Sequence, residues 1–353
     1  MMKFAFRWYG DSDPIPLNYI KQIPNVVSVV SAIYDIPVGQ VWPLNRILAL
    51  KKQIQEEDLT FEVVESLPVH EDIKIGLSTR DLYINNYKES IKQLAKAGIK
   101  VITYNFMPIF DWLRTSINKV LDDGSTTLSF NQTDLQNMNP LDGELALPGW
   151  DMSYSKQDLT ALFEQYRMVN EDKLWDNLSY FLKEIIPVAE QVGIKMAIHP
   201  DDPPFSVFDL PRIITCEKNI DRFLNIIDSP SNGLALCVGS LGSIPTNHVE
   251  HMVKKYATLK RIHFVHMRNV KRYDDGSGFE ESAHPSQYGS LDMVKIIKNL
   301  YDADYDGYLR PDHGRMIFGE KGKPGYGLYD RALGVTYLYG IYETLVKIKG
   351  EKS

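Results

Sequence analysis

The sequence predicts a single (β/α)8 barrel, and three observations carry that reading. From Lys3 to Ile348, short apolar runs alternate with stretches of helical periodicity. That order makes parallel strands joined by crossover helices. The runs are apolar almost throughout rather than alternating, as strands covered on both faces must be. Four successive runs then stop on a residue able to bind a metal or move a proton: Lys195-Met-Ala-Ile-His199, Gly233-Leu-Ala-Leu-Cys237, Arg261-Ile-His-Phe-Val-His266 and Gly307-Tyr-Leu-Arg310-Pro-Asp312. The carboxyl tips of barrel strands are where this fold keeps its active site.

Taken in order, Lys3 to Tyr9 reads as the first strand, with Arg7-Trp8-Tyr9-Gly10 at its tip, and Val26 to Ile33 as the second. Leu44 to Glu56 has helical spacing directly after Pro43, a residue suited to a helix start. Leu59 to Glu65 is the third strand. Thr79 to Ala97 is a long amphipathic helix ended by Gly98, and Lys100 to Phe106 is the fourth strand. Residues 108–170 break the rhythm with Asp122-Asp-Gly-Ser, an Asn-rich run and turn formers between Pro140 and Trp150. They read as a long helical and irregular insertion after strand four, covering or flanking the active site. Regularity returns with the helix Leu174 to Val192, stopped by Gly193, and the strand to His199. A Pro-rich loop, Pro200 to Arg212, precedes the helix Lys218 to Ile227 and the strand to Cys237. Helix His248 to Ala257 leads to His266, helix Ser290 to Tyr301 leads to Asp312, and Asp330 to Ile348 closes the chain. With no linker, repeat or low-complexity tract, residues 1–353 read as one domain.

Composition narrows the function. The 353 residues are 44% hydrophobic and 24% charged, with a net charge of −7. That balance gives no basic footprint for nucleic acid or an anionic membrane. No apolar run approaches the roughly 20 residues of a membrane span. The N-terminal run is broken by Arg7 and lacks the h-region of a signal peptide. Two cysteines, Cys216 and Cys237, are too few for a disulfide scaffold. The expectation is a cytoplasmic protein acting on a small molecule, with neither nucleic acid nor membrane as partner. The insertion and the closing helix point to a homodimer.

His199, Cys237, His266 and Asp312 are the metal-ligand candidates. Singly, each has a plainer explanation: a satisfied core histidine, a small buried cysteine, a turn-forming aspartate. Their shared position at the ends of consecutive strands decides for a metal. Two imidazoles, a thiolate and a carboxylate suit zinc on donor chemistry alone. Arg268 follows His266 by two residues and so leans to the same face, as a clamp for a carboxylate or as a structural ion pair. Asp201 and Asp202 are placed to hold substrate hydroxyls or a histidine tautomer, or else are loop carboxylates. His313 is a candidate acid or base. Gly314 to Gly327 is a Gly-rich, basic loop of the kind that closes over a site, bringing Tyr326 as a proton donor. His263 lies three residues before His266 and faces the other way. His70, His248, His251 and Cys216 belong to no constellation, and His284 sits in a polar loop within reach of the site.

Five stretches make the chain resemble a known family: Phe6-Arg7-Trp8-Tyr9-Gly10, Pro148-Gly-Trp150-Asp151, His199-Pro-Asp-Asp-Pro-Pro204, His263-Phe-Val-His266-Met-Arg268-Asn269 and Arg310-Pro-Asp312-His313-Gly314. It resembles the bacterial D-mannonate dehydratases of hexuronate (glucuronate) catabolism, relatives of the xylose-isomerase-like barrels. The likeness runs nearly end to end and is weakest from Ile117 to Asn139. It implies a hydro-lyase that takes the C2 proton of D-mannonate and expels the C3 hydroxyl, giving 2-keto-3-deoxy-D-gluconate. It implies one manganese(II) or iron(II) per chain, against the zinc preference of the donors, held by His199, Cys237, His266 and Asp312. His313 and Tyr326 match the acid–base region, with Arg268 adding charge at the reacting end. Arg7 and Trp8 would form a polar contact and a wall for the sugar acid, and Asn105 would contact a hydroxyl.

Two other readings stay in view. A sugar isomerase or epimerase on the same barrel would be built on strand-end glutamates, of which Glu65 is the one counterpart here. A sugar-acid binding protein without activity would be expected to lose His313 or Tyr326 first.

Overall fold

The computed structural model describes residues 1–141 and 155–350. Among these residues the strands are β1 (Lys3–Arg7), β2 (Val26–Ser31), β3 (Thr60–Val64), β4 (Val101–Tyr104), β5 (Ser116–Val120), β6 (Thr126–Asn131), β7 (Lys195–Ile198), β8 (Asn232–Cys237), β9 (Ile262–Met267), β10 (Asn269–Arg272), β11 (Gly278–Ser282) and β12 (Tyr308–Pro311). Eight of them close a barrel in the order β1-β2-β3-β4-β7-β8-β9-β12. These are the eight apolar runs of the sequence. Every pairing around the barrel is parallel.

One side chain from each barrel strand fills the centre: Ala5, Val30, Val63, Val101, Ala197, Ala235, Phe264 and Tyr308. The alanines of β1, β7 and β8 leave the volume that the rings of β9 and β12 occupy, which is how a barrel interior reaches close packing. The outer layer follows from helix patterning. In the helix Glu171–Val192, the Asn170 side chain accepts from the Lys173 N–H at 2.9 Å. Leu174, Leu178, Phe181, Leu182, Ile185 and Ile186 are buried along one face. Gly193, at φ 73°, takes the left-handed turn that ends the helix. No helix among the described residues is long and apolar enough to cross a membrane.

The insertion after β4 departs from the expectation in part. It does carry helices, Gln132–Asn137 and Lys156–Tyr166, but its first half is the hairpin β5–β6. That hairpin joins β10–β11, from the loop after β9, in a four-stranded antiparallel sheet of order β10-β11-β6-β5. These strands are short and largely polar, and the β6–β11 pairing that joins the two hairpins links segments over 140 residues apart, so no local apolar run marks them. The Pro148-Gly-Trp150-Asp151 motif falls in residues 142–154, outside the described residues.

Register then sets the site. Cys237 stands opposite His266, and His266 opposite Arg310, so the ends of β8, β9 and β12 are level. The His199 N–H donates to the Tyr104 carbonyl at 2.7 Å, carrying β7 one residue further to the same rim.

Candidate active site

His199, Cys237 and His266 converge so that one ligand atom from each lies within 4.8 Å of the others. His199 Nε2 is 3.1 Å from His266 Nδ1. Asp312 flanks the trio, its Oδ2 being 3.6 Å from Cys237 Sγ and 3.7 Å from His266 Nδ1. Each imidazole is turned by a partner on its far side. The Pro200 carbonyl, which has no proton to give, lies 2.6 Å from His199 Nδ1 and so leaves Nε2 as the donor atom. Glu65 Oε1 lies 3.0 Å from His266 Nε2, an ionic contact rather than an aligned hydrogen bond.

The charge pattern suits a cation. Burial resists ionisation of Cys237, but Arg268 and hydrogen bonds to His199 and His266 outweigh both burial and Asp312, holding the thiol well below its usual range. Burial and Arg310 disfavour a charged His266, yet Glu65 and Asp312 lift it to about 9. Burial also works against the Asp312 carboxylate, and His313, Arg310, His266 and Arg268 together keep it far below the carboxylate range. A thiolate and a carboxylate around two oriented imidazoles, buried and pulling positive charge toward themselves, fit one divalent ion.

Beside this cluster is a cavity of about 90 Å³. Arg7, Tyr9, Asn105, Trp112, His313 and Tyr326 line it, along with His199, His266 and Asp312. His313 Nε2 is 2.9 Å from the Tyr326 hydroxyl. The Trp112 ring lies 4.6 Å from that of His313, and Tyr9 meets Tyr326 edge-on at 5.0 Å. Burial, with Asp312 adding to it, raises the Tyr326 phenol well above its usual value, so it stays protonated as a donor.

Comparison with known proteins now bears on the geometry. The family model for D-mannonate dehydratase (UxuA) matches residues 2–352. The chain belongs to the D-mannonate dehydratase family. It is 55% identical over 346 residues to a mannonate dehydratase of Streptococcus agalactiae serotype Ia, covering 98% of this chain and 99% of that one. It is 53% identical over 344 residues to mannonate dehydratase 2 of Halalkalibacterium halodurans, with the same coverage. The crystal structure of mannonate dehydratase from Streptococcus suis serotype2 superposes with a TM-score of 0.93 at 49% identity, covering 99% of this chain and 96% of that one. A xylose isomerase-like TIM barrel protein from Mycobacterium smegmatis, at 14% identity and a TM-score of 0.57, shares the fold. The chain is thus a hydro-lyase that dehydrates D-mannonate, and the isomerase and non-catalytic readings fall away.

Within this dehydratase, not every residue singled out from sequence reaches the cavity. Trp8 is 4% exposed in the apolar core, because alternation along β1 turns Arg7 and Tyr9 to one face and Trp8 to the other. The aromatic wall is instead Tyr9 and Trp112. Arg268 faces inward as expected but does not line the cavity. Its guanidinium is fully buried among Asp202, Glu281 and Ser240, with Nε 2.9 Å from Asp312 Oδ2. These contacts are those of the structural ion pair. Arg7 and Arg310 are the cations at the cavity, both paired to Glu65. Asn105 lines the cavity with its Oδ1 accepting from the Met107 N–H at 3.1 Å.

Asp201 also turns away from the cavity. It is 1% exposed, and its Oδ2 accepts from the N–H groups of Ile213 at 2.6 Å and Ile214 at 2.9 Å, pinning the Pro-rich loop. Asp201→Ala is expected to cost about 2–4 kcal/mol of stability in denaturant unfolding, because two buried donors lose their acceptor. Unchanged stability with a raised KM would return Asp201 to the substrate. Of the remaining histidines, His263 Nδ1 bonds the Met196 carbonyl at 2.9 Å and His70 caps the helix Glu71–Ile75. His284 packs against Gly334 of the closing helix, away from the cavity.

Proposed function

We propose that His313 and Tyr326 are the acid–base pair of the dehydration, and that His199, Cys237, His266 and Asp312 hold one divalent ion, manganese(II) or iron(II). One observation carries the reading: the paired His313 and Tyr326 line the same small cavity as His199, His266 and Asp312. The obstacle in this reaction is the C2 proton, which is barely acidic beside a carboxylate because its removal builds a second negative charge. A bound divalent cation supplies the Lewis acid that lowers that barrier. The chain's own groups do the rest. Arg7 and Arg310 put two guanidinium groups at the cavity for the carboxylate of a sugar acid, and Asn105 offers a polar contact for a hydroxyl. Trp112 and Tyr9 keep bulk water from the reacting carbons. His313 and Tyr326 take the proton from C2 and deliver one to the departing C3 hydroxyl, which leaves as water. The enol then tautomerises to 2-keto-3-deoxy-D-gluconate.

In the cell we place this reaction in the cytoplasm, in glucuronate catabolism. A homodimer is supported by the closing helix Leu328–Gly350, which leaves Tyr329 47% and Leu333 55% exposed. The direct test uses anaerobically purified, metal-stripped protein with D-mannonate. Keto acid is expected only after manganese(II) or iron(II) is restored. Equal turnover by the stripped protein would remove the metal from the mechanism.

A further inference from the structure

The sequence pointed to nothing between Asn269 and Ser282, yet the most heavily engaged carboxylate behind the cavity comes from there. Glu281 sits on β11, in the outer sheet, and is fully buried. One of its oxygens, Oε1, receives Arg114 Nη2 at 2.7 Å and Nε at 3.2 Å, Arg268 Nη1, and His313 Nδ1 at 3.1 Å. The other oxygen, Oε2, is buried without a hydrogen bond. Three cationic or donor side chains therefore converge on a single oxygen. Burial works against the charged carboxyl, but Arg268, Arg114 and His313 lower it to about 2, so it has no proton to donate.

We infer that Glu281 is the positioning residue for this acid–base pair, holding the proton of His313 on Nδ1 so that Nε2 meets Tyr326 as a bare acceptor. The step rests on the assignment of His313 and Tyr326 made above. Its logic is that of donor and acceptor inventory. An ionised carboxylate only accepts, so Nδ1 must donate to it. A neutral imidazole then carries its lone pair on Nε2, where the Tyr326 hydroxyl lies at 2.9 Å and must point its hydrogen inward. In the resting arrangement the hydrogen between the two groups therefore belongs to Tyr326, and the lone pair of His313 Nε2 faces it. The outer sheet gains a purpose as well. Thr127 of β6 donates to the Glu281 carbonyl at 2.8 Å, fixing the strand that carries the carboxylate. Arg114, in the segment before β5, sits between Asp202 and Glu281 and holds it from the other side. Trp112, two residues earlier, packs against the His313 ring. The insertion after β4 and the hairpin after β9 thus meet around one imidazole.

Two measurements test this. The first is read on the unmodified chain: nitrogen-15 NMR of histidine-labelled protein with zinc as a diamagnetic ion, the His313 signals being assigned by comparison with His313→Gln. A protonated Nδ1 and an unprotonated Nε2 are expected. A proton on Nε2, in either the other tautomer or the cation, overturns the inference. The second is kinetic. Glu281→Gln, which keeps the shape but not the charge, is expected to lower kcat about 10–100-fold, with metal content retained and KM changed less than about threefold. Glu281→Asp should recover little, since its shorter side chain withdraws the oxygen from Nδ1. Wild-type kcat in Glu281→Gln, with His313→Gln inactive, would overturn the positioning role alone. Wild-type turnover in His313→Gln would instead overturn the acid–base assignment beneath it.

Discussion

Cys237→Ser protein is expected to fold, to lose its metal on dialysis, and to turn over D-mannonate at least roughly 10³-fold more slowly. The substitution changes one atom, and its effect comes from ionisation. Arg268 and hydrogen bonds to His199 and His266 favour the thiolate of Cys237 against the cost of its burial. A serine hydroxyl has far too high a pKa to ionise there, so the site loses one of its anionic donors and much of its attraction for a dication. The Ser240 N–H, which now points at Sγ from 3.4 Å, would still find an acceptor in the hydroxyl, so the start of the short helix Val238–Gly242 should survive. Metal content after dialysis and turnover at saturating manganese(II) separate the two effects. A variant that keeps its metal and loses activity would move Cys237 from holding the ion to tuning it. A variant that keeps both would remove it from the site.

The same cluster shows what sequence alone can disclose. His199, Cys237 and His266 were legible because each is the last residue of a continuous apolar run, and parallel barrel strands bring such ends to one rim. Arg7 and Asn105 also lie near strand tips, but their roles came only from the family resemblance. Trp8 was misplaced for want of a phase: adjacent residues on a strand face opposite sides, and nothing local says whether Arg7 or Trp8 points inward. Arg268 faces the way its phase predicts, and its guanidinium is engaged by ion pairs. Its direction follows from the two-residue offset from His266, whereas its partners Asp202, Ser240 and Glu281 come from three other parts of the chain. Glu281, Arg114 and Trp112 left no signal, since they lie on short polar strands and irregular backbone whose pairing is decided by distant partners. Glu65 was visible as a strand end and was weighed only as evidence of another chemistry. In the structure it bridges Arg7, Arg310 and His266. Periodicity therefore reports what touches the barrel axis, and long-range pairing decides what supports it.

Tyr326→Phe should keep its metal and its fold and lose about 10²-fold or more in turnover, the usual worth of a positioned proton donor. The ring itself is held by groups the substitution leaves alone. Its backbone carbonyl accepts from Arg331 Nη2 at 2.6 Å, and Tyr9 packs edge-on against the ring. The hydroxyl, by contrast, meets His313 Nε2 inside the cavity and is not needed for packing. Removing it leaves His313 able to accept a proton but without the hydroxyl that Nε2 now faces. A proton-transfer role predicts a loss in kcat, because the missing step belongs to the transition state. A mere contact with a substrate hydroxyl would raise KM and leave kcat nearly intact. Exchange of the C2 hydrogen with deuterated solvent, followed without regard to product, divides the outcomes further. Exchange that persists while dehydration fails would assign Tyr326 to the departing C3 hydroxyl and His313 to C2. If exchange is lost as well, Tyr326 takes part in removing the C2 proton. Turnover near that of the unmodified chain would exclude the phenol from both steps and leave His313 as the remaining member of the proposed pair.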